Sequence, residues 1–246
     1  MSSQADRYAI YYMPHPDSAL WRFGSAVLGY DAASGDSVPQ IAPDGFDVAS
    51  WRLLTADPRA YGFHATIKAP FRLAQGVDEQ QLVAEFGRFA AAQASFDLPR
   101  LEAAAIEARA GKGAFIALVE PVAKPATPAL LALEHAAVEA FEPLRAPLTD
   151  KEFARRLPER LTERERGNLD RYGYPFVHED FRFHLTLTGL VPATQVEAAL
   201  TGLTGLHAGQ VGDGPVPVDG LALFRQDAGE PNFRVLTRVP FGGIKE

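Results

Sequence analysis

"FHATI" at 63–67 and "FHLTL" at 183–187 share one pattern, Phe-His-X-Thr followed by an aliphatic residue. In the first, Phe63, Ala65 and Ile67 alternate with His64, Thr66 and Lys68. In the second, Phe183, Leu185 and Leu187 alternate with His184, Thr186 and Thr188. A period of two is the mark of a half-buried strand. Residues i and i+2 of a strand share a face, so each His stands beside its Thr with an apolar face behind.

Outward from the two motifs, the chain repeats an order of elements. The first is followed by a helix opened by Asp78 with Gln81, then by strands near 96–107 and 114–120. After the second, Thr194 with Glu197 opens a helix running to about 205, and strands follow near 216–225 and 233–240. Asp or Thr with Gln or Glu three residues on is a capping-box pattern. Similar offsets from each His suggest an internal duplication of a strand-helix-strand-strand unit. That unit predicts an α+β fold, an antiparallel sheet covered by helices in each of two lobes, with a cleft between them. The sequence halves are about 1–125 and 126–246. A helical connection spans about 128–172, with a helix over 128–142 and two more capping boxes at Thr149/Glu152 and Thr162/Glu165. Near the start, 7–14 reads as a strand and 18–30 as a helix opened by Ser18, with loops and a short helix over 31–60.

Composition narrows the class. The 246 residues are 47% hydrophobic and 22% charged, which suits a globular domain with a real core. There is no cysteine, so disulfides and cysteine-ligated zinc are excluded. "MSSQADRYAIYYMP" lacks the features of a signal peptide and no apolar run approaches a membrane span, so the expected location is the cytoplasm, with no membrane partner. A net charge of −7 argues against extended nucleic-acid contacts, though not against a local phosphate pocket.

Two His-Thr pairs facing across a cleft suit displacement at phosphorus. One imidazole serves as general base and the other as general acid, while the Thr hydroxyls hold non-bridging oxygens. Positioning and electrostatics account for most phosphoryl-transfer catalysis, so no metal or cofactor is called for. Lys68 follows Thr66 by two residues and Arg182 precedes His184 by two, so both are read on the His faces as phosphate-binding candidates.

The chain resembles the 2H phosphoesterase superfamily, which includes RNA 2′,3′-cyclic phosphodiesterases of the LigT type. The resemblance rests on "HAT" and "HLT". It extends through "RYAIYYMP", "LWRFGSAVLGYDAASG", "YGFHATIKAPFRL", "FRFHLTLTG" and "LALFRQ" to a bacterial branch ascribed to phosphonate metabolism and carbon–phosphorus lyase pathways. It implies a bilobal fold with the motifs facing a central cleft, and His64, Thr66, His184 and Thr186 as catalytic residues. Through that pathway it also implies a small phosphorylated ribose substrate, 5-phosphoribosyl 1,2-cyclic phosphate. Two other readings stay open: a phosphodiesterase for RNA or nucleoside 2′,3′-cyclic phosphates, and a non-catalytic module binding phosphorylated ligands.

Several further residues carry paired readings. Tyr61, before the regular alternation, reaches either side of its strand, and Tyr174 either lines the cleft or packs the connection. Arg225 reaches a phosphate or is an exposed strand end. His178, with Glu179 and Asp180, reads as a solvated loop rather than a metal site. "GKG" at 111–113 reads as a hairpin turn, without the surroundings of a nucleotide triphosphate loop.

Overall fold

The computed structural model describes residues 5–107, 113–121, 126–156 and 161–243. The chain order is β1 (Arg7–Tyr12), α1 (Ala19–Leu28), β2 (Tyr30–Asp31), β3 (Asp36–Ser37), α2 (Val48–Leu54), α3 (Ala56–Arg59), β4 (Ala65–Phe71), α4 (Glu79–Ala91), β5 (Phe96–Leu98), β6 (Glu102–Glu107) and β7 (Gly113–Val119). It continues with α5 (Pro128–Phe141), α6 (Asp150–Arg156), α7 (Glu163–Tyr172), β8 (Leu185–Thr186), β9 (Val191–Pro192), α8 (Val196–Val211), β10 (Val216–Val218), β11 (Gly220–Gln226) and β12 (Arg234–Pro240). The fold is α+β, with antiparallel sheets. No helix among the described residues is long and apolar enough to cross a membrane.

Local signals set most helix starts. Ser18 accepts the amide of Trp21 and caps α1, whose end is closed by Gly29 in the left-handed region. Complete capping boxes open α4 at Asp78/Gln81 and α7 at Thr162/Glu165. Thr149 and Glu152 exchange the same bonds ahead of α6. The box expected at Thr194/Glu197 does not form; a 3-10 turn at Ala193–Gln195 runs directly into α8. Of the turn read at 111–113, only Gly113 lies within the described residues.

The main sheets do not follow the sequence halves. One has the order β12-β11-β1-β4, so the first His-Thr strand is backed by the last two strands of the chain. The other joins β6 and β7, from the first half, to β8 and β9 from the second. Each single strand expected near 96–107 and 216–225 is broken in two. The short pieces, β5 and β10, pair with each other. The long pieces, β6 and β11, enter the sheet carrying the other half's motif. Helices α4 and α5 pack on the first sheet, and α8 on the second.

Register decides which residues reach the open face of the first sheet. Tyr11 of β1 lies opposite Thr66 of β4 and Ala222 of β11. Directly opposed residues share a face, so Tyr11, Thr66 and Ala222 point together, with Phe224 two positions on. One step along β1, Ile10 lies opposite Lys68, which is two steps along β4 from Thr66. This bulge inserts one extra residue and reverses the alternation. Lys68 therefore leaves the His face expected for it and turns to the helix-covered side. There its ammonium, 3% exposed by residue, donates to the Val138 carbonyl and the Glu142 carboxylate, both at 3.0 Å. Arg225, opposite Tyr8, also faces the helices, where it pairs with Asp6, Glu79 and Asp227. Neither cation is directed at the motifs.

Removing one partner of a buried pair leaves the other uncompensated. Lys68→Ala is expected to lower stability on the order of 3 kcal/mol in urea denaturation. Lys68→Met, which keeps the packing, costs less, and neither raises KM more than about twofold. A large KM increase with unchanged stability would return Lys68 to the site.

Candidate active site

The residue before each histidine anchors it. The Phe63 ring is wholly buried against α1, tilted to Trp21 at a centroid distance of 6.5 Å. It lies so close to Gly24 that a Cβ there would come within 2.2 Å of the ring. Phe183 packs on Tyr12 at 5.7 Å, tying the second motif to the first sheet. Burying a large apolar side chain contributes about 1.5–3 kcal/mol, which holds each motif's backbone in place.

Both imidazoles are oriented by the same device. His64 Nδ1 lies 2.8 Å from the Gly62 carbonyl, and His184 Nδ1 lies 2.8 Å from the Arg182 carbonyl. A carbonyl only accepts, so in each ring Nδ1 carries the hydrogen and Nε2 is left with a lone pair. Thr66 Oγ1 stands 3.4 Å from His64 Nε2. Strands β4 and β8 approach within 8 Å between Cα atoms, and the His184 charge acts on His64. The two motif strands thus lie close together.

Gly62 supplies its carbonyl from the left-handed region, at φ 74°, and an added Cβ would meet Ala32 Cβ at 2.6 Å. Only glycine adopts this conformation without cost.

The electrostatics favour neutral rings. Burial is the largest effect on His64 and pushes its pKa down to about 4, against the Gly62 bond, with a smaller push from His184. Burial also lowers His184. Tyr11 stacks on His64 with centroids 3.7 Å apart and planes 20° apart, and Phe224 and Tyr61 flank the same ring at 6.1 and 6.3 Å. Phe115 of β7 lies 5.8 Å from His184.

The remaining predicted residues divide. Tyr61 is half-buried beside His64, and Tyr174, also half-buried, packs the connection against Val138, Tyr172 and Val177. Arg182 contributes its carbonyl; its exposed guanidinium makes no hydrogen bond or ion pair among the described residues. His178 is not in a solvated loop. Its side chain is 9% exposed, lodged between Glu134 and Glu139 with φ at 55°. Among the described residues, no group of three or more His, Cys, Asp or Glu is placed to hold a metal ion. Hollows on the surface lined by Arg225 with Arg234, and by Tyr12 with Val211, contain neither motif.

Sequence reading missed Tyr11 and Phe224. Strand parity was the available signal, since antiparallel pairing of β1 with β11 brings Tyr11 and Phe224 to the face of Thr66.

Residues 66–234 match the family described as "Protein of unknown function (DUF1045)". The chain belongs to this family. Two curated relatives are each 35% identical and each named ribose 1,5-bisphosphate phosphokinase PhnN. One, from Janthinobacterium sp. (strain Marseille), aligns over 248 residues, all of this chain and 53% of its own length. The other, from Laribacter hongkongensis (strain HLHK9), aligns over 95% of this chain and 51% of its own. The chain spans about half the length of the curated relatives it matches. Among solved structures, TT0787 of Thermus thermophilus is 16% identical with a TM-score of 0.45, over 96% of this chain and 98% of that one. A phosphoesterase is 13% identical with a TM-score of 0.41, over 98% and 99%. Usb1 of Kluyveromyces marxianus is 12% identical with a TM-score of 0.38, over 98% and 100%.

Gly62→Ala is expected to cost about 1–3 kcal/mol of stability, the range for a strained backbone position. It should also lower turnover of the folded fraction, because the carbonyl that orients His64 is displaced. Unfolding curves and activity per folded molecule check both. Unchanged activity would mean that the Gly62 bond does not orient the reactive ring.

Proposed function

We propose that the chain is a 2H-type phosphoesterase that opens a small ribose cyclic phosphate by histidine acid–base catalysis, with 5-phosphoribosyl 1,2-cyclic phosphate of phosphonate metabolism as its substrate. The observation that carries this reading is the matched pair of imidazoles. In each, Nδ1–H is committed to the carbonyl two residues upstream and Nε2 is left for chemistry.

One Nε2 takes a proton from water as the water oxygen attacks phosphorus. The bond from phosphorus to the ring oxygen breaks, and the other imidazole, protonated, gives its proton to that leaving oxygen. Thr66 and Thr186 donate to the non-bridging oxygens, where charge concentrates in the transition state. Acid, base and oxyanion contacts then all come from side chains, and the proposed reaction is metal-independent.

The relatives' printed name supports the substrate and suggests the bond cleaved. Addition of water across the bond from phosphorus to O2 of 5-phosphoribosyl 1,2-cyclic phosphate yields ribose 1,5-bisphosphate. That is the compound named in the relatives' phosphokinase activity. This chain carries no G-x-x-x-x-G-K-[ST] sequence, so a phosphokinase assignment finds no nucleotide triphosphate motif here.

The direct test is a screen of cyclic phosphates in EDTA, including 5-phosphoribosyl 1,2-cyclic phosphate and nucleoside 2′,3′-cyclic phosphates, with products read by phosphorus NMR. Ribose 1,5-bisphosphate is the expected product. His64→Ala and His184→Ala should each lower kcat by about 10²–10⁴-fold, and the double variant should lose far less than the product of the two. A double variant that turns over at the wild-type rate would move the chemistry elsewhere.

The pH profile follows from the depressed histidines. The free enzyme needs one ring neutral and one protonated, a state that prevails between their two pKa values. Since His64 is pushed down to about 4 and His184 also lies below its ordinary 6.5, the maximum of kcat/KM is expected below pH 6.5. As pH rises past the higher pKa, the acid loses its proton and kcat/KM falls about tenfold per unit. A profile level up to pH 8 would mean that the acid is not a histidine of the free enzyme.

A further inference from the structure

The alternation of the second motif carries a third polar residue, Thr188, two positions beyond Thr186. Continued alternation would set it on the open face beside His184 and Thr186. It is instead fully buried, while those two are half-buried. The cause is local. The Leu187 and Thr188 amides both donate to the Ile116 carbonyl of β7, at 2.8 and 3.1 Å. Two residues set against one across an antiparallel pair make a β-bulge, and the alternation breaks there.

In a regular antiparallel pair, two opposed residues exchange both of their backbone bonds. Ile116 accepts from the backbone but donates to a side chain: its amide gives its hydrogen to Thr188 Oγ1, at 2.8 Å. Ile116 and Thr188 are each 0% exposed, so solvent has no access to replace that acceptor. Its removal would leave a buried donor unpaired.

Thr186 lies immediately before this bulge. Its strand β8 is two residues long, with Thr186 opposite Ala117 and Leu185 opposite Leu118. Past the bulge the chain leaves the ladder, and the Gly189 amide donates to the Leu54 carbonyl at the end of α2, at 2.6 Å. Pairing with β7 resumes at Val191, opposite Ala114. So short a strand has little pairing of its own to hold its register. The Thr188 bond closes the ladder on the far side of Thr186. Without it, the Ile116 amide would draw in a backbone carbonyl, flatten the bulge and move Thr186.

We infer that Thr188 is a positioning residue: its hydroxyl, bonded to the Ile116 amide, fixes the bulge that holds Thr186 where its own hydroxyl reaches a non-bridging phosphate oxygen. The inference rests on the proposed role of Thr186 and adds a residue that does not touch the substrate.

The experiment is a double-mutant cycle with Thr186→Ala, using the cyclic phosphate that the wild type turns over fastest. Thr188→Val keeps the side-chain shape and removes the acceptor. It is expected to lower kcat by about tenfold or more, with KM changed less than about threefold, since it displaces Thr186 but removes no substrate contact. Thr188→Ser keeps the acceptor and should retain kcat within about threefold of wild type. In the Thr186→Ala background, Thr188→Val should cost less than about threefold, because the group it positions is gone. A general loosening of the fold would cost the same in both backgrounds. A smaller loss in the wild-type background, or equal losses in the two, overturns the assignment. Thr188→Ala takes the same place in the cycle if Thr188→Val does not fold. Failure of the wild type to turn over any cyclic phosphate instead counts against the phosphoesterase reading, and the positioning is then judged by amide hydrogen exchange. Thr188→Val should speed exchange at Leu185, Thr186 and Leu187 by about tenfold or more and leave the β4 amides at wild-type rates. Unchanged exchange at those three amides, or equal acceleration in β4, overturns it.

Discussion

A single bond recurs in both halves, from imidazole Nδ1–H to the carbonyl two residues upstream. The candidate chemistry depends on it. Without that bond each ring would be free to present either nitrogen. With it, the tautomer and ring plane are set before any ligand arrives, and Nε2 is the nitrogen left with a lone pair in both. The two halves reach the same geometry by different means. On one side a glycine in the left-handed region turns its carbonyl toward His64. On the other the carbonyl belongs to Arg182, whose side chain projects to solvent. Phe63 and Phe183 fix the backbone beneath each ring, so core packing and ring orientation are one problem solved by adjacent residues.

Strand exchange between the sheets couples the halves. The sheet carrying His64 is completed by strands from the end of the chain, and the sheet carrying His184 by β6 and β7 from the first half. Neither sheet assembles from contiguous chain. Long-range pairing of this kind is slow to form, because loop closure precedes the contacts that reward it. Its effect is positional: each motif's sheet is held in place by strands from the other half of the chain.

The site is also electrostatically sorted. The bulge in β4 and the parity of β11 turn Lys68 and Arg225 toward helices and into ion pairs with carboxylates. The face they leave holds aromatic rings, hydroxyls and imidazoles. Desolvation keeps those imidazoles neutral at ordinary pH. A bound anion would raise their proton affinity, so ligand charge and imidazole protonation are linked.

The sequence alone determined the two site strands, the adjacency of each His to its Thr, the α+β class and the capping boxes at Asp78, Thr149 and Thr162. All rest on signals spanning a few residues: a period of two, or a hydroxyl or carboxylate three positions from its partner. Tertiary structure decided the rest. Lys68 read as a neighbour of His64 because alternation was extended through a bulge that only pairing with β1 reveals. The short segment β8, two residues long, read as a full strand because its alternation continues, although Leu187 and Thr188 both turn their amides to the one carbonyl of Ile116. Tyr11 lies far from both motifs in sequence, and which strand lies beside which is settled by packing of the whole chain. Local periodicity reports which face a side chain takes on its own strand. What it faces across the fold is a property of registers and crossovers that no short stretch encodes.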